Sequence, residues 1–473
     1  MIEQSSNRAP SGTFPGVRRR VLFITYDFPP SARVGAFSCE QIARYLPLHG
    51  WDPIVLSARE SNYESSLPQS QPTYFVTRTR VLPHPLIVYQ QMKNRLLRRK
   101  DLPNAAAATY RAKRGAFGGA RELILDLLSI PDRYTGWLPP AIMAGLDSCR
   151  RSQVSAIFSS GPWWTNHLVA LALAPMTGLP WLAHFRDPWT HAPNWKAKGG
   201  VAQHLQAALE KLVVTRATAV VCVTHQHANL LKSLYPTLPQ NKFISSPNGY
   251  DEVEWSNEAP GNGSVPTAFP SRFTVTYAGS LYEERSPAPI FRAIRQLIDN
   301  GEIDADTLQF DFIGWCDTAE GQALRNIATE WNLARHVHLH GALARAETHR
   351  RMTESSLLLL LAENRTLLIP AKAYEYLRAG RPILALAPEK GAVADLFART
   401  GGAWVVDQAN DAAITAALRD AYRGWQNGYP ARLPDQTVVA TYDRVHLTGQ
   451  LAQVLEKIVT SSSLSPNSGL MSV

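Results

Sequence analysis

Residues 18–26 read RRRVLFITY and run directly into residues 27–36, DFPPSARVGA. The first segment is a short apolar run with β-branched and aromatic residues, and the two prolines that follow break any regular structure, so a strand enters a loop here. Residues 39–48 are helix-like, Gly50 is a stop signal, and WDPIVLSA (residues 51–58) reads as the next strand. Strand, loop, helix and strand in this order make the unit from which parallel sheets are built.

The unit recurs on both sides of a break. Further strands are expected at residues 74–82, 154–160, 181–185, 219–224 and 242–245, several of them continuously apolar and so covered on both faces. Residues 248–271 are rich in Gly, Pro, Ser and Asn, which marks a linker. A second series follows: FTVTYAGS, LQFDFIGW, HVHLHGA, SSLLLLLA, PILALA and GAWVVD, with helix-like stretches at 289–297 and 322–331. The expected organisation is an N-terminal α/β domain at 18–250, a linker at 251–271 and a second α/β domain at 272–440. A C-terminal helix at 441–459 packs back on the first domain, between disordered tails at 1–17 and 460–473. Ligands of open α/β sheets bind beyond the carboxyl ends of the strands, so the loops there are searched first.

Composition narrows the function. A chain of 473 residues, 45% hydrophobic and 18% charged, is long and apolar enough for two cores. Its net charge of +9 favours an anionic partner of unspecified kind. The four cysteines are widely spaced and offer neither a disulfide framework nor a zinc pattern, which suits a reducing cytoplasm. The polar start lacks an apolar signal region, and no run approaches the roughly 18 apolar residues of a spanning helix. Residues 93–121 form a basic insert: from Lys93 to Arg114 there are eight basic residues against the single acid Asp101. Such a segment lies on an anionic membrane surface or is simply a solvated helix and loop.

Six blocks, FITYDFPPSARVGA, PDRYTGWLPPA, SSGPWWTNHLVALALAPMTGLPWLAHFRDPW, PNGYD, YAGSLYEERSP and IPAKAYEYLRAGRPILAL, resemble the retaining glycosyltransferases of family 4. The likeness runs from about residue 19 to 457. It implies the α/β GT-B fold, two Rossmann-like domains with parallel sheets facing across an interdomain cleft. The blocks are most similar to a subgroup of bacterial polysaccharide, capsule and O-antigen assembly. The activity implied is transfer of a sugar from a UDP-, GDP- or ADP-linked donor to a glycan or lipid-linked acceptor, with retention of configuration and no metal cofactor.

Each matching residue has a physical task. Pro370 suits the first turn of a helix and Gly380 its end, which puts Lys372 and Glu375 three apart on one face. A carboxylate there accepts two ribose hydroxyl bonds, the role the resemblance gives Glu375, while Lys372 and the helix start hold a diphosphate. The alternative is that Glu375 only favours the helix dipole. Where the family often has a second glutamate this chain has Leu367, with Glu363 and Asn364 just upstream. Gly279 and Ser280 offer backbone amides and Arg285 a guanidinium to the leaving diphosphate. Ser280 stands where the family has an arginine, so Lys372 supplies the missing cation. Arg285 could instead pair with Glu283 or Glu284 on the surface.

On the first domain, Gly35 permits close approach of a donor phosphate or sugar, or is an ordinary turn glycine. In HFRDPW, His184 or Asp187 is placed to orient or deprotonate an acceptor hydroxyl, and Arg186 to bind an acceptor phosphate or clamp Asp187. Trp189, with Trp163, Trp164 and Trp195, stacks on sugar rings or packs in the core. Gly341 and its strand expose backbone to a nucleobase, unless His338 and His340 simply pack. Asp304 and Asp306 form a DxD, but precede a strand and so read as a surface loop. No P-loop, GxSxG or HExxH is present, and no nucleic-acid-binding motif accompanies the basic charge. Two rivals stand beside the transferase: a sugar-nucleotide epimerase or hydrolase on the same fold, and a non-catalytic scaffold of a polysaccharide assembly complex.

Overall fold

The computed structural model describes residues 18–31, 33–59, 74–83, 127, 130–191, 200–256, 270–281, 285–362 and 365–464. They divide into two compact units: one of residues 1–222, 232–244 and 448–473, the other of residues 223–231 and 245–447. The basic insert at 93–121 falls outside the described residues.

In the first unit the chain runs β1 (Arg19–Ile24), α1 (Val34–Tyr45), β2 (Trp51–Arg59), β3 (Phe75–Arg80), α2 (Leu138–Arg151) and β4 (Val154–Gly161). It continues through α3 (Thr165–Thr177), β5 (Trp181–Phe185), α4 (Val201–Arg216), β6 (Ala219–Cys222), α5 (His225–Leu234) and β7 (Phe243–Ser245). The parallel sheet has the order β3-β2-β1-β4-β5-β6-β7, so its winding reverses between β1 and β4. Helix α1 starts five residues ahead of the expected position. Its N-cap, Arg33, makes no side-chain cap bond, so the usual Ser, Thr, Asp or Asn start signal is missing.

The second unit holds α6 (Glu252–Ser256), β8 (Phe273–Ala278), α7 (Ala288–Asp299), β9 (Leu308–Ile313), a small hairpin of β10 (Thr318–Ala319) and β11 (Gln322–Ala323), α8 (Leu324–Glu330) and β12 (Val337–Gly341). After them come α9 (Arg345–Thr353), β13 (Leu357–Leu361), α10 (Lys372–Ala379), β14 (Ile383–Leu386), α11 (Ala392–Thr400), β15 (Ala403–Val406), α12 (Asp411–Gln426), α13 (Gln436–Val439) and α14 (Arg444–Leu464). The sheet order is β12-β9-β8-β13-β14-β15, parallel throughout, with its reversal between β8 and β13. The five leucines of β13 show why such strands need no polar face. Leu357, Leu359 and Leu361 join the core layer with α7 and α12, and Leu358 and Leu360 the layer with α10 and α11.

Two boundaries differ from expectation. The presumed linker is helical at its start, because Tyr250 and Trp255 are buried in the second unit and pull Glu252–Ser256 into helix. The presumed tail after 459 continues as helix to Leu464. From Thr448 onward α14 counts with the first unit, where Leu451, Ala452, Val454, Leu455 and Ile458 pack against Val21, Phe23, Val55 and Phe158.

Candidate active site

In doubly wound sheets the crevice for ligands opens where the strand order reverses. In the second unit that point is served by the loops after β8 and β13. Helix α10 follows β13 and ends at Gly380, whose φ of +70° only glycine adopts without strain. Lys372 and Glu375 lie in its first turn, and Lys372 Nζ donates to Glu375 Oε2 at 2.5 Å. Burial works to raise the Glu375 carboxyl, but the charge and hydrogen bond of Lys372, with the charge of Arg345, outweigh it and hold it below the usual carboxylate range. Glu375 is therefore an ionised, acceptor-only group with lone pairs beyond the one Lys372 occupies. His349 of α9 stacks flat on Trp255 of α6, centroids 4.0 Å apart at 8°. Burial pushes its imidazole down to about 4, leaving it neutral near pH 7. Tyr376 locks α10 across the reversal: the Ala278 N–H at the end of β8 donates to its buried Oη at 2.8 Å.

The loops after β8, β9 and β12 are tied to one another. Gly279 N–H donates to Ile313 O at 2.8 Å, Gly314 N–H to Gly341 O at 2.7 Å, and Leu281 N–H to Trp315 O at 3.0 Å. Gly314 is required here, since a Cβ would lie 2.2 Å from Gly279 O. The Gly279 amide, expected to face a diphosphate, is thus already used, and the Gly341 carbonyl already accepts a bond. Ser280 O accepts from Tyr277 Oη at 2.9 Å and from Arg285 Nη1 at 3.4 Å, which draws Arg285 onto the turn. Glu283, Glu284, Glu363 and Asn364 fall outside the described residues. Leu367 offers only its carbonyl, which accepts from Thr224 Oγ1 at 2.7 Å. His340 is engaged with buried Asp311 at 3.1 Å. Asp304 accepts from Asp306 N–H at 3.0 Å and caps the turn before β9, at the amino end of the strand.

The first unit corrects several expectations. The space above Gly35 is filled by Arg186: a Cβ there would lie 2.6 Å from Nη1. Arg186 Nη1 donates to Gly35 O at 2.8 Å and Nη2 to Pro162 O, so the guanidinium braces the loops after β1 and β4 and does not present itself to an acceptor. Trp189, expected to stack on a sugar, is 2% exposed. Its ring lies parallel to Trp164 at 4.9 Å and its Nε1 donates to Gln206 Oε1 at 2.7 Å. His184 is buried within β5, its Nδ1 3.2 Å from Ser160 Oγ, which argues against its acting on an acceptor hydroxyl. Asp187, half-buried in the loop after β5, keeps the accessible position. Trp195 falls outside the described residues.

Sequence reasoning passed over the group at this unit's reversal point. Asp27, after β1, accepts from Arg33 Nη1 at 2.6 Å and from Trp163 Nε1, after β4, at 2.8 Å. Tyr134 lies 4.5 Å from Trp163, ring to ring.

Residues 36–249 match the family described as the glycosyl transferase 4-like domain. No curated protein matches the sequence. Among solved structures, sucrose-phosphate synthase from Thermosynechococcus elongatus is similar at 14% identity and TM-score 0.61, over 94% of this chain and all of that one. Anabaena HepE, in complex with UDP and glucose, is similar at 13% identity and TM-score 0.58, over 93% of this chain and all of that one. WaaG, a glycosyltransferase involved in lipopolysaccharide biosynthesis, matches at 14% identity and TM-score 0.54, over 92% of this chain and 99% of that one. The chain has the GT-B fold, and its residues 36–249 are similar to the glycosyl transferase 4-like domain.

Proposed function

We propose that this chain transfers a sugar from a nucleotide-sugar donor to a glycan or lipid-linked acceptor, with retention of configuration, in the assembly of a bacterial surface polysaccharide or glycoconjugate. The observation that carries the reading is the Lys372–Glu375 pair in the first turn of α10, at the strand reversal of the second unit. An ionised carboxylate with spare lone pairs suits the two hydroxyls of a ribose. Lys372, Arg285 and the Ser280 amide are donors for a diphosphate whose charge grows as the glycosidic bond breaks. Stabilising that growing charge more than the ground state lowers the barrier. That HepE was solved with UDP and glucose supports a nucleotide-sugar donor on this fold. Asp187 is the group on the first unit for orienting the acceptor hydroxyl.

No described helix is long and apolar enough to cross a membrane. The basic composition of 93–121 supports work at the inner face of one, held by anionic lipid, and vesicle binding that ignores lipid charge and salt would count against this. The function is tested by a thermal-shift panel of UDP-, GDP- and ADP-linked sugars. A donor at a hundred times its dissociation constant stabilises the folded chain by about 2.7 kcal/mol. No shift with any donor favours the non-catalytic scaffold, and rapid hydrolysis or epimerisation without acceptor favours the rival enzymes.

A further inference from the structure

We propose that the strand reversal of the first unit is an acceptor subsite that recognises an anionic group, held by Arg33 and Arg133 beside the rings of Tyr134 and Trp163. This rests on the transferase reading above and adds the acceptor's chemical class.

Three segments distant in sequence meet here. Arg33 comes from the loop after β1, Arg133 and Tyr134 from the segment before α2, and Trp163 from the loop after β4. Arg133 lies 5.0 Å from the Tyr134 ring and 5.7 Å from that of Trp163, and Arg33 lies 5.6 Å from Tyr134. Two guanidinium groups thus lie over one ring, that of Tyr134, although like charges repel.

The surrounding bonds fix this arrangement. Buried Asp27 holds both the Arg33 guanidinium and the Trp163 indole. Asp132 accepts from Thr165 N–H at 2.9 Å, Thr165 Oγ1 at 2.6 Å and Tyr134 N–H at 2.9 Å, so the segment carrying Arg133 is pinned to the start of α3. Tyr134 packs on Tyr26 at 4.2 Å.

The charge sum points to an anion. Asp27 balances Arg33, and Asp132 is taken up by a helix start, whereas exposed Arg133 pairs with no carboxylate among the described residues. A guanidinium fork matches phosphate and carboxylate oxygens, and the half-buried Trp163 ring beside Arg133 offers apolar surface to the face of a sugar. The ligand is therefore a sugar bearing a phosphate or a carboxylate.

The test is calorimetry on the full chain saturated with UDP, titrated separately with glucose 1-phosphate, glucuronate and methyl glucoside. The variants are Arg133→Ala and Arg133→Lys; the exposed side chain makes both compatible with folding, which circular dichroism checks. An anionic sugar is expected to bind at least about tenfold more tightly than methyl glucoside. Arg133→Ala weakens it about tenfold, Arg133→Lys by less, and UDP affinity is unchanged. Preference for glucose 1-phosphate assigns a phosphate, preference for glucuronate a carboxylate. Equal binding of charged and neutral sugars, or a native-like Arg133→Ala, overturns the proposal. If the native chain binds none of UDP, GDP and ADP, the donor reading fails separately, and the same comparison made without nucleotide decides the subsite.

Discussion

Replacing Arg186 separates bracing from acceptor binding. In the fold its guanidinium spans two carbonyls, those of Gly35 and Pro162, from the loops on either side of the reversal. Bonds from a charged donor contribute about 1.5–3 kcal/mol each. The residue is only half-buried, so water replaces part of what is lost, and the low end applies: two bonds at about 1.5 kcal/mol make about 3 kcal/mol for Arg186→Ala. With a urea m-value of about 3 kcal/mol/M, the transition of the first unit moves down by about 1 M. Arg186→Lys keeps the charge but cannot bridge two carbonyls, so it recovers about half of the loss. Urea unfolding followed by tryptophan fluorescence reads both variants. A native midpoint in Arg186→Ala together with a tenfold rise in the acceptor KM would show that the side chain holds an acceptor phosphate, and the bracing argument would be wrong.

Gly35→Ala drives a methyl group into the same guanidinium and is expected to cost about 1–3 kcal/mol by the overpacking route, read by the same unfolding curve. Trp189→Ala empties a core site and orphans Gln206 Oε1, for about 3–5 kcal/mol; a stable variant with only a raised acceptor KM would return Trp189 to the sugar site. His349 gives a pH signature. Burial holds its imidazole down to about 4, against an ordinary 6.5, so between these values the unfolded chain takes up a proton that the folded chain refuses. Stability is then full above the ordinary value and falls with pH by about 1.4 kcal/mol per unit down to about pH 4, on the order of 3 kcal/mol in all. His349→Gln should flatten the fall of the urea midpoint between pH 7 and pH 4.5 by that share; an unchanged slope would remove His349 as the cause.

The strands were legible because continuous apolar runs such as SSLLLLLA have one stable use, burial on both faces of a parallel sheet. Helix α10 was legible from Gly380, and with it the Lys372–Glu375 spacing. Other features depend on which way a side chain turns. Arg186 and Trp189 have residue types that suit a sugar-phosphate site, yet the guanidinium turns to two carbonyls and the indole to a buried glutamine. Gly35 carried the right inference, a close approach above its Cα, with the wrong visitor. The hairpin of β10 and β11 has two residues per strand, too few to show alternation. Arg33, Arg133 and Trp163 stand in three separate motif blocks, and only the strand order brings them to one edge. Their signal was the conjunction of aromatic and basic residues in PDRY and GPWW, which has no meaning along the chain until the sheet is wound.

The central claim is that α10 receives the donor nucleotide through Glu375. Calorimetric titration of native and Glu375→Ala chains with UDP, GDP and ADP measures it directly. At least one nucleotide is predicted to bind the native chain, and loss of two hydroxyl bonds to a carboxylate should weaken it by about 3 kcal/mol, roughly a hundredfold. A folded Glu375→Ala chain that binds the same nucleotide with native affinity would contradict the account.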